Sequence, residues 1–204
     1  MELFTAAHEL STQNHNERVI AHLAADYRYQ PAKLLLLDFD VTTVVHGLIS
    51  PAELAQLQLS ASRLGFTAQQ VEGFARLDTW GERISGYKLV DSSVAELFPL
   101  LAANGVQVVG LTNQPLPVAE GTANYIAIAT QSEVFPTLSS FYHRKNVLAR
   151  DLLAALPYGS HAVFYDDKAA NVASMASVDG VSAFSNQINW RQLVGHCLSL
   201  WQEG

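Results

Sequence analysis

Four consecutive leucines, Leu34 to Leu37, run directly into Asp38-Phe39-Asp40. An apolar run this short and this continuous is the pattern of a strand buried on both faces, as in the interior of a parallel sheet. In an extended chain, side chains two positions apart share a side. The run therefore predicts that Asp38 and Asp40 face one site at the strand's carboxyl end, the edge where open α/β sheets bind ligands. Two acids there can divide the labour, one attacking or holding a metal while the other moves protons. The plainer alternative is a strand that ends in a polar turn, since Asp is common in turns.

The totals narrow the function classes. The chain has 204 residues, enough for one core with a small insert, and 49% of them are hydrophobic, which fits a globular protein. A net charge of −7 argues against broad nucleic-acid affinity and against anionic membranes. Phosphorylated substrates stay open, because a bound cation can supply the positive charge. With Cys197 as its single cysteine the chain has no internal disulfide, and a reducing compartment suits it. The sequence has neither an apolar run of about 18 residues nor the basic and apolar regions of a signal peptide. The expectation is a cytoplasmic protein without a membrane partner.

Periodicity and caps predict the elements. Residues 2 to about 26 read as two short helices with a turn at Asn14-His15-Asn16, and His8, His15 and His22 as surface or core histidines. Thr43 to Gly47 reads as a loop. Ser50-Pro51-Ala52-Glu53 is a capping box, Gly65 a stop, and Thr67 a second start, so 50 to about 78 reads as a helical hairpin. Asp78, Trp80, Arg83 and Tyr87 fall in a polar stretch whose aromatics read as anchors, with substrate contact as the lesser alternative. Ser93 to Glu96 forms another capping box before a helix. Strands follow at Val106–Leu111, His161–Tyr165 and Val181–Phe184, with helices at about 118–129, from Lys145, at 169–175 and at about 188–202. Alternating strands and helices imply a mainly parallel α/β sheet with right-handed crossovers.

Three apolar strands thus end in polar residues: Asp38 and Asp40, then Thr112 and Asn113, then Asp166 and Asp167. Lys145 opens the helix before the last. The steps are 74 residues from Asp38 to Thr112, 33 on to Lys145 and 21 on to Asp166. Parallel strands place all such ends on one edge, where they can converge.

In this order the four motifs resemble those of the haloacid dehalogenase superfamily, over about residues 33 to 185. The resemblance implies a three-layer Rossmann-like sandwich, with a core of residues 1–43 and 89–204 and a small helical cap of residues 44–88. It implies a Mg²⁺-dependent phosphomonoesterase. Asp38 would attack phosphorus and form an aspartyl phosphate, while Asp40 would protonate the leaving oxygen and then activate water. Thr112, the backbone amide of Asn113 and Lys145 would hold the phosphoryl oxygens. The metal would be held by Asp38, Asp166 and the backbone carbonyl of Asp40, with Asp167 ordering its surroundings. Dehalogenases of the superfamily lack the second acid, so Asp40 points to phosphoryl transfer. Two departures stand out. Val41 occupies a position where relatives commonly have Gly, and Asn171 one where some relatives have a further acid. The expected partner is a phosphorylated small molecule or a phosphoprotein such as one carrying phosphotyrosine, and the family includes bacterial effectors delivered into host cells.

The rival readings are a phosphotransferase or mutase on the same fold, a catalytically silent phospho-ligand-binding protein, and a receiver-type switch. The receiver is disfavoured by the order of the acids and by the chain's length. A dinucleotide enzyme lacks its glycine-rich turn.

Overall fold

All four leucines of the opening run are fully buried, and they part company by parity. Leu34 and Leu36 pack on one face of a sheet, Leu35 and Leu37 on the other. The computed structural model describes residues 2–67, 70–71, 75–77, 84–185 and 187–200. In chain order the elements are α1 (Glu2–Asp26), β1 (Lys33–Leu37), β2 (Val44–Ile49), α2 (Pro51–Arg63), β3 (Ala75–Leu77), β4 (Ile84–Leu89), α3 (Ser93–Ala103) and β5 (Val106–Thr112). They continue with α4 (Leu116–Thr130), β6 (Thr137–Ser139), α5 (Lys145–Ala155), β7 (His161–Asp166), α6 (Ala169–Met175), β8 (Val181–Ser185) and α7 (Trp190–Ser199).

The main sheet has five strands in the order β6-β5-β1-β7-β8, every pair parallel. Helices cover both faces. Leu23 of α1, Leu148 and Leu152 of α5 and Met175 of α6 pack over Leu34 and Leu36, while Leu101 of α3, Ile126 of α4 and Leu193 of α7 pack over Leu35 and Leu37. This is an α/β sandwich with a parallel sheet, as the alternating pattern predicts. From β1 the chain builds outward through β5 to β6, then crosses to the far side of β1 and lays down β7 and β8. The direction of winding therefore reverses between β1 and β7. Such a reversal opens a crevice at the carboxyl ends of the two strands, and those ends carry Asp38 and Asp166. Among the described residues, no helix is long and apolar enough to cross a membrane.

Three expectations need correction. First, α1 is one continuous helix. Asn14-His15-Asn16 makes no turn, because two of these polar groups have partners outside the helix. The Asn16 carboxamide donates to the Ser139 carbonyl at 2.8 Å and accepts from the Ser139 amide at 3.0 Å. The His15 ring bonds to the Thr137 carbonyl at 2.9 Å. Second, the segment after β1 is not a purely helical insertion. Its helix α2 begins as expected, with the reciprocal Ser50–Glu53 box and Pro51 in the first turn. However, β2, β4 and β3 form a three-stranded antiparallel sheet in that order, so Thr43 to Gly47 leads into a strand and is no open loop. Residues 68–69 and 72–74 of the expected second helix, and Asp78, Trp80 and Arg83, lie outside the described residues. Third, the box expected at Ser93 does not form. Asp91 accepts from the Ser93 amide at 2.9 Å and satisfies the start of α3 instead. Tyr87 is buried, its ring 4.5 Å from that of His46 and 5.7 Å from that of Tyr125, so it anchors β4 to α4.

Candidate functional site

Asp38 leaves β1 at the point where the ladder to β7 ends. Its amide still donates to the Tyr165 carbonyl at 3.1 Å. Its carboxylate keeps the parity of Leu34 and Leu36, which is the side on which α5 packs. Asp166 keeps the parity of Ala162 and Phe164, on that same side. Lys145, the first residue of α5, lies between the two. Its Nζ donates to Asp38 Oδ1 and to Asp166 Oδ2, each at 2.6 Å. All three side chains are buried.

Each acid has further partners. Asp166 accepts from the Lys168 amide at 2.8 Å and from Asn171 Nδ2 at 2.9 Å. A carboxylate at position 171 would repel Asp166, whereas the carboxamide satisfies it. The Thr42 hydroxyl lies 3.2 Å from Asp38 Oδ2 and 3.4 Å from Asp167 Oδ1, so it can donate to either, and it accepts from the Asp167 amide at 3.0 Å. Asp38, Asp166 and Asp167 each offer a carboxylate oxygen within 4.8 Å of the others. Three carboxyl groups thus cluster, and one ammonium bonds two of them.

Asp38 is perturbed within this group. Burial raises its pKa above the ordinary carboxyl value, and Asp166 raises it further, against the pull of the Lys145 ammonium. The lone cysteine shows the opposite of an activated group, since burial pushes the Cys197 thiol up to about 12.

The other predicted residues are placed differently. Asp40 does not join the carboxyl cluster. Strand β1 stops at Leu37, so the two-residue alternation does not carry on to position 40. Asp40 is exposed, and Gln114 Nε2 donates to its Oδ1 at 2.8 Å. Thr112 ends β5 fully buried, its hydroxyl accepting from the Gln114 amide at 3.3 Å. Asn113 is exposed beside it. Asp167 lies with the acids, a carboxylate oxygen within 4.8 Å of theirs. Two contributors have no role assigned from the sequence, Thr42, which joins two of the acids, and Gln114, while Asn171, noted there as standing where some relatives have an acid, bonds Asp166. Gln114 is buried, and its Oε1 has no hydrogen-bond partner among the described residues. The Thr-Asn-Gln run was the only available signal for it, since its role depends on a contact 74 residues away.

The turn between Asp38 and Thr42 is tight. The amides of Thr43 and Val44 both donate to the Phe39 carbonyl, at 2.8 and 2.9 Å, and the Val41 amide donates to Val44. The turn sets Val41 at φ 63°. A β-branched residue is strained in this left-handed region, at a cost of about 1–3 kcal/mol. Glycine adopts it freely but loses about 0.5–1 kcal/mol of chain entropy on folding. Val41 is 59% exposed and packs little. Val41→Gly is therefore expected to raise the unfolding free energy by about 1 kcal/mol, read as a higher urea midpoint, with Val41→Ile giving no gain.

A scan against protein-family models finds no match for this chain, and a search of curated proteins finds none either.

Proposed function

We propose that the protein is a Mg²⁺-dependent phosphomonoesterase of the haloacid dehalogenase type, with Asp38 as nucleophile. The observation that carries this reading is the convergence of Asp38, Asp166 and Asp167 at the crevice between β1 and β7, with Lys145 bonded to the first two. The donor set suits the ion. Mg²⁺ takes hard oxygen ligands at about 2.0–2.1 Å and needs only one or two carboxylates. Three carboxylate oxygens within 4.8 Å of one another, two of the carboxyls sharing a single ammonium, fit it in both chemistry and charge. Asp38 and Asp166 would hold it, with Asp167 as the third donor. When bound, it supplies positive charge that screens the repulsion between a carboxylate and a phosphate ester.

The remaining steps belong to the chain. An Asp38 oxygen attacks phosphorus and the ester P–O bond breaks, leaving an aspartyl phosphate. Asp40 gives its proton to the departing oxygen, then takes one from the water that attacks phosphorus and releases inorganic phosphate. Lys145, with Thr112 and the Asn113 amide, neutralises the phosphoryl oxygens. Gln114 suits a partner that alternates between two protonation states. Its Nε2 holds ionised Asp40, and a carboxamide rotated by half a turn presents Oε1 to the protonated acid.

The test is phosphate release from para-nitrophenyl phosphate, with Mg²⁺ and then with excess chelator. Release with Mg²⁺ that chelator abolishes is the expected result. Release that survives chelation removes the metal from the mechanism. A chain inert under both conditions, and toward sugar phosphates, nucleotides and phosphotyrosine peptides, speaks for a silent binding protein.

A further inference from the structure

Beside the acid cluster lies a cleft of about 390 Å³ whose sign is opposite to that of the protein as a whole. The chain carries a net charge of −7, yet His143, Arg144, Lys145 and Lys168 all line this cleft, together with the carboxamides of Asn113 and Asn171, and among the described residues no acidic side chain does. Of the cations, Lys145 is already committed to Asp38 and Asp166. Arg144 and Lys168 are exposed, and among the described residues neither side chain has an ion-pair or hydrogen-bond partner. Arg144 is the N-cap of α5, and its side chain makes no capping hydrogen bond.

Two features tie the cleft to the reaction centre. Lys145 and Asn171 line it and also touch the acids, so a group held in it sits one side chain from Asp38 and Asp166. Its volume also exceeds what one phosphoryl group needs, and it reaches the lower end of the range of small-ligand pockets, about 300–1,000 Å³. Asn113 and Lys145 can serve the transferred phosphoryl group. That leaves Arg144, Lys168 and His143 without a task in the proposed reaction. A guanidinium matches the two-oxygen edge of a phosphate or carboxylate, and an ammonium adds a point charge.

We propose that this cleft is a second-anion subsite, which selects small phosphate esters bearing a further phosphate or carboxylate that Arg144 and Lys168 bind. The identity of the first group rests on the phosphatase reading. The affinity of the cleft for an anion does not.

The test therefore has two arms on the full chain. In the first, inorganic phosphate is titrated calorimetrically into chelator-treated protein. Binding is expected, weakened about tenfold in Arg144→Gln and in Lys168→Gln, partly restored in Arg144→Lys, and not weakened in Asp38→Asn. Absence of binding, or equal affinity in wild type and both Gln variants, overturns the subsite. In the second arm, kcat/KM is compared within matched pairs: fructose 1,6-bisphosphate against fructose 6-phosphate, and 3-phosphoglycerate against glycerol 3-phosphate. In at least one pair the two-anion member is expected to lead by about tenfold or more, with the lead shrinking in Arg144→Gln. One-anion members favoured in both pairs overturn the selection. If no ester turns over but phosphate still binds through Arg144 and Lys168, the phosphatase reading fails and the subsite stands.

Discussion

Asp38→Asn is expected to abolish phosphate release, by at least about a thousandfold, while making the chelator-treated protein more stable. The change is nearly isosteric and removes the attacking oxygen's charge. The stability gain follows from the surroundings of the group. Burial, with Asp166 adding to it, holds the Asp38 pKa above its ordinary value despite Lys145. A raised pKa in the folded state favours the protonated form. Its stabilising effect is complete below the unfolded value of about 4 and is lost as pH rises through the folded one. Wild type should therefore lose stability through that window relative to Asp38→Asn, and the gap should stay open at neutral pH. A difference of about 1 kcal/mol would appear as roughly 2–4 °C in melting temperature. Mg²⁺ should stabilise wild type more than the variant. A variant that still turns over removes Asp38 as nucleophile. One that melts lower than wild type in chelator at pH 7 contradicts the account of its burial.

The second large effect is expected at Lys145. Lys145→Met keeps most of the side chain's volume and removes the one ammonium that, among the described residues, bonds Asp38 and Asp166. Breaking a buried ion pair by deleting one partner costs about 3–5 kcal/mol, because the remaining charge is left uncompensated. Here two carboxylates are left facing each other, so the loss in denaturant midpoint should be of that order. Two conditions should relieve it. Lower pH protonates the carboxyls, and Mg²⁺ restores positive charge, so each should stabilise the variant more than wild type. A wild-type midpoint in chelator at neutral pH would mean that the acids are already protonated without Lys145, and the electrostatic account of the site would fail.

The parallel sheet was legible because its signals are local. Leu34 to Leu37, Val106 to Leu111 and His161 to Tyr165 each announce a buried strand within a few residues, and the polar groups that follow mark one edge. What escaped depends on distant partners. Strand β2 pairs with β4 some forty residues later, and their register sets Gly47 opposite Gly86, a pairing that no local propensity signals. Asn16 and Gln114 look like turn and loop residues until Ser139 and Asp40 are brought to them. Parity accounts for Asp38 joining Asp166, whereas Asp40 stands outside that cluster on Gln114, because the strand had already ended and the turn at Val41 redirected the chain. The strain at Val41 is consistent with this: the turn imposes a glycine-like conformation on a residue poorly suited to it.

The Asn16 carboxamide gives Ser139 one donor and one acceptor, which is what the next residue of a sixth strand would give. The β6 side of the sheet is thus already paired at that position, with the polypeptide's own helix in place of a neighbour. A second molecule that tried to extend the sheet there would first have to displace α1 and leave Asn16 unsatisfied. Edge-to-edge growth, whether into dimers or into fibrils, is thereby directed to the opposite border, where Val181 to Ser185 form the last strand.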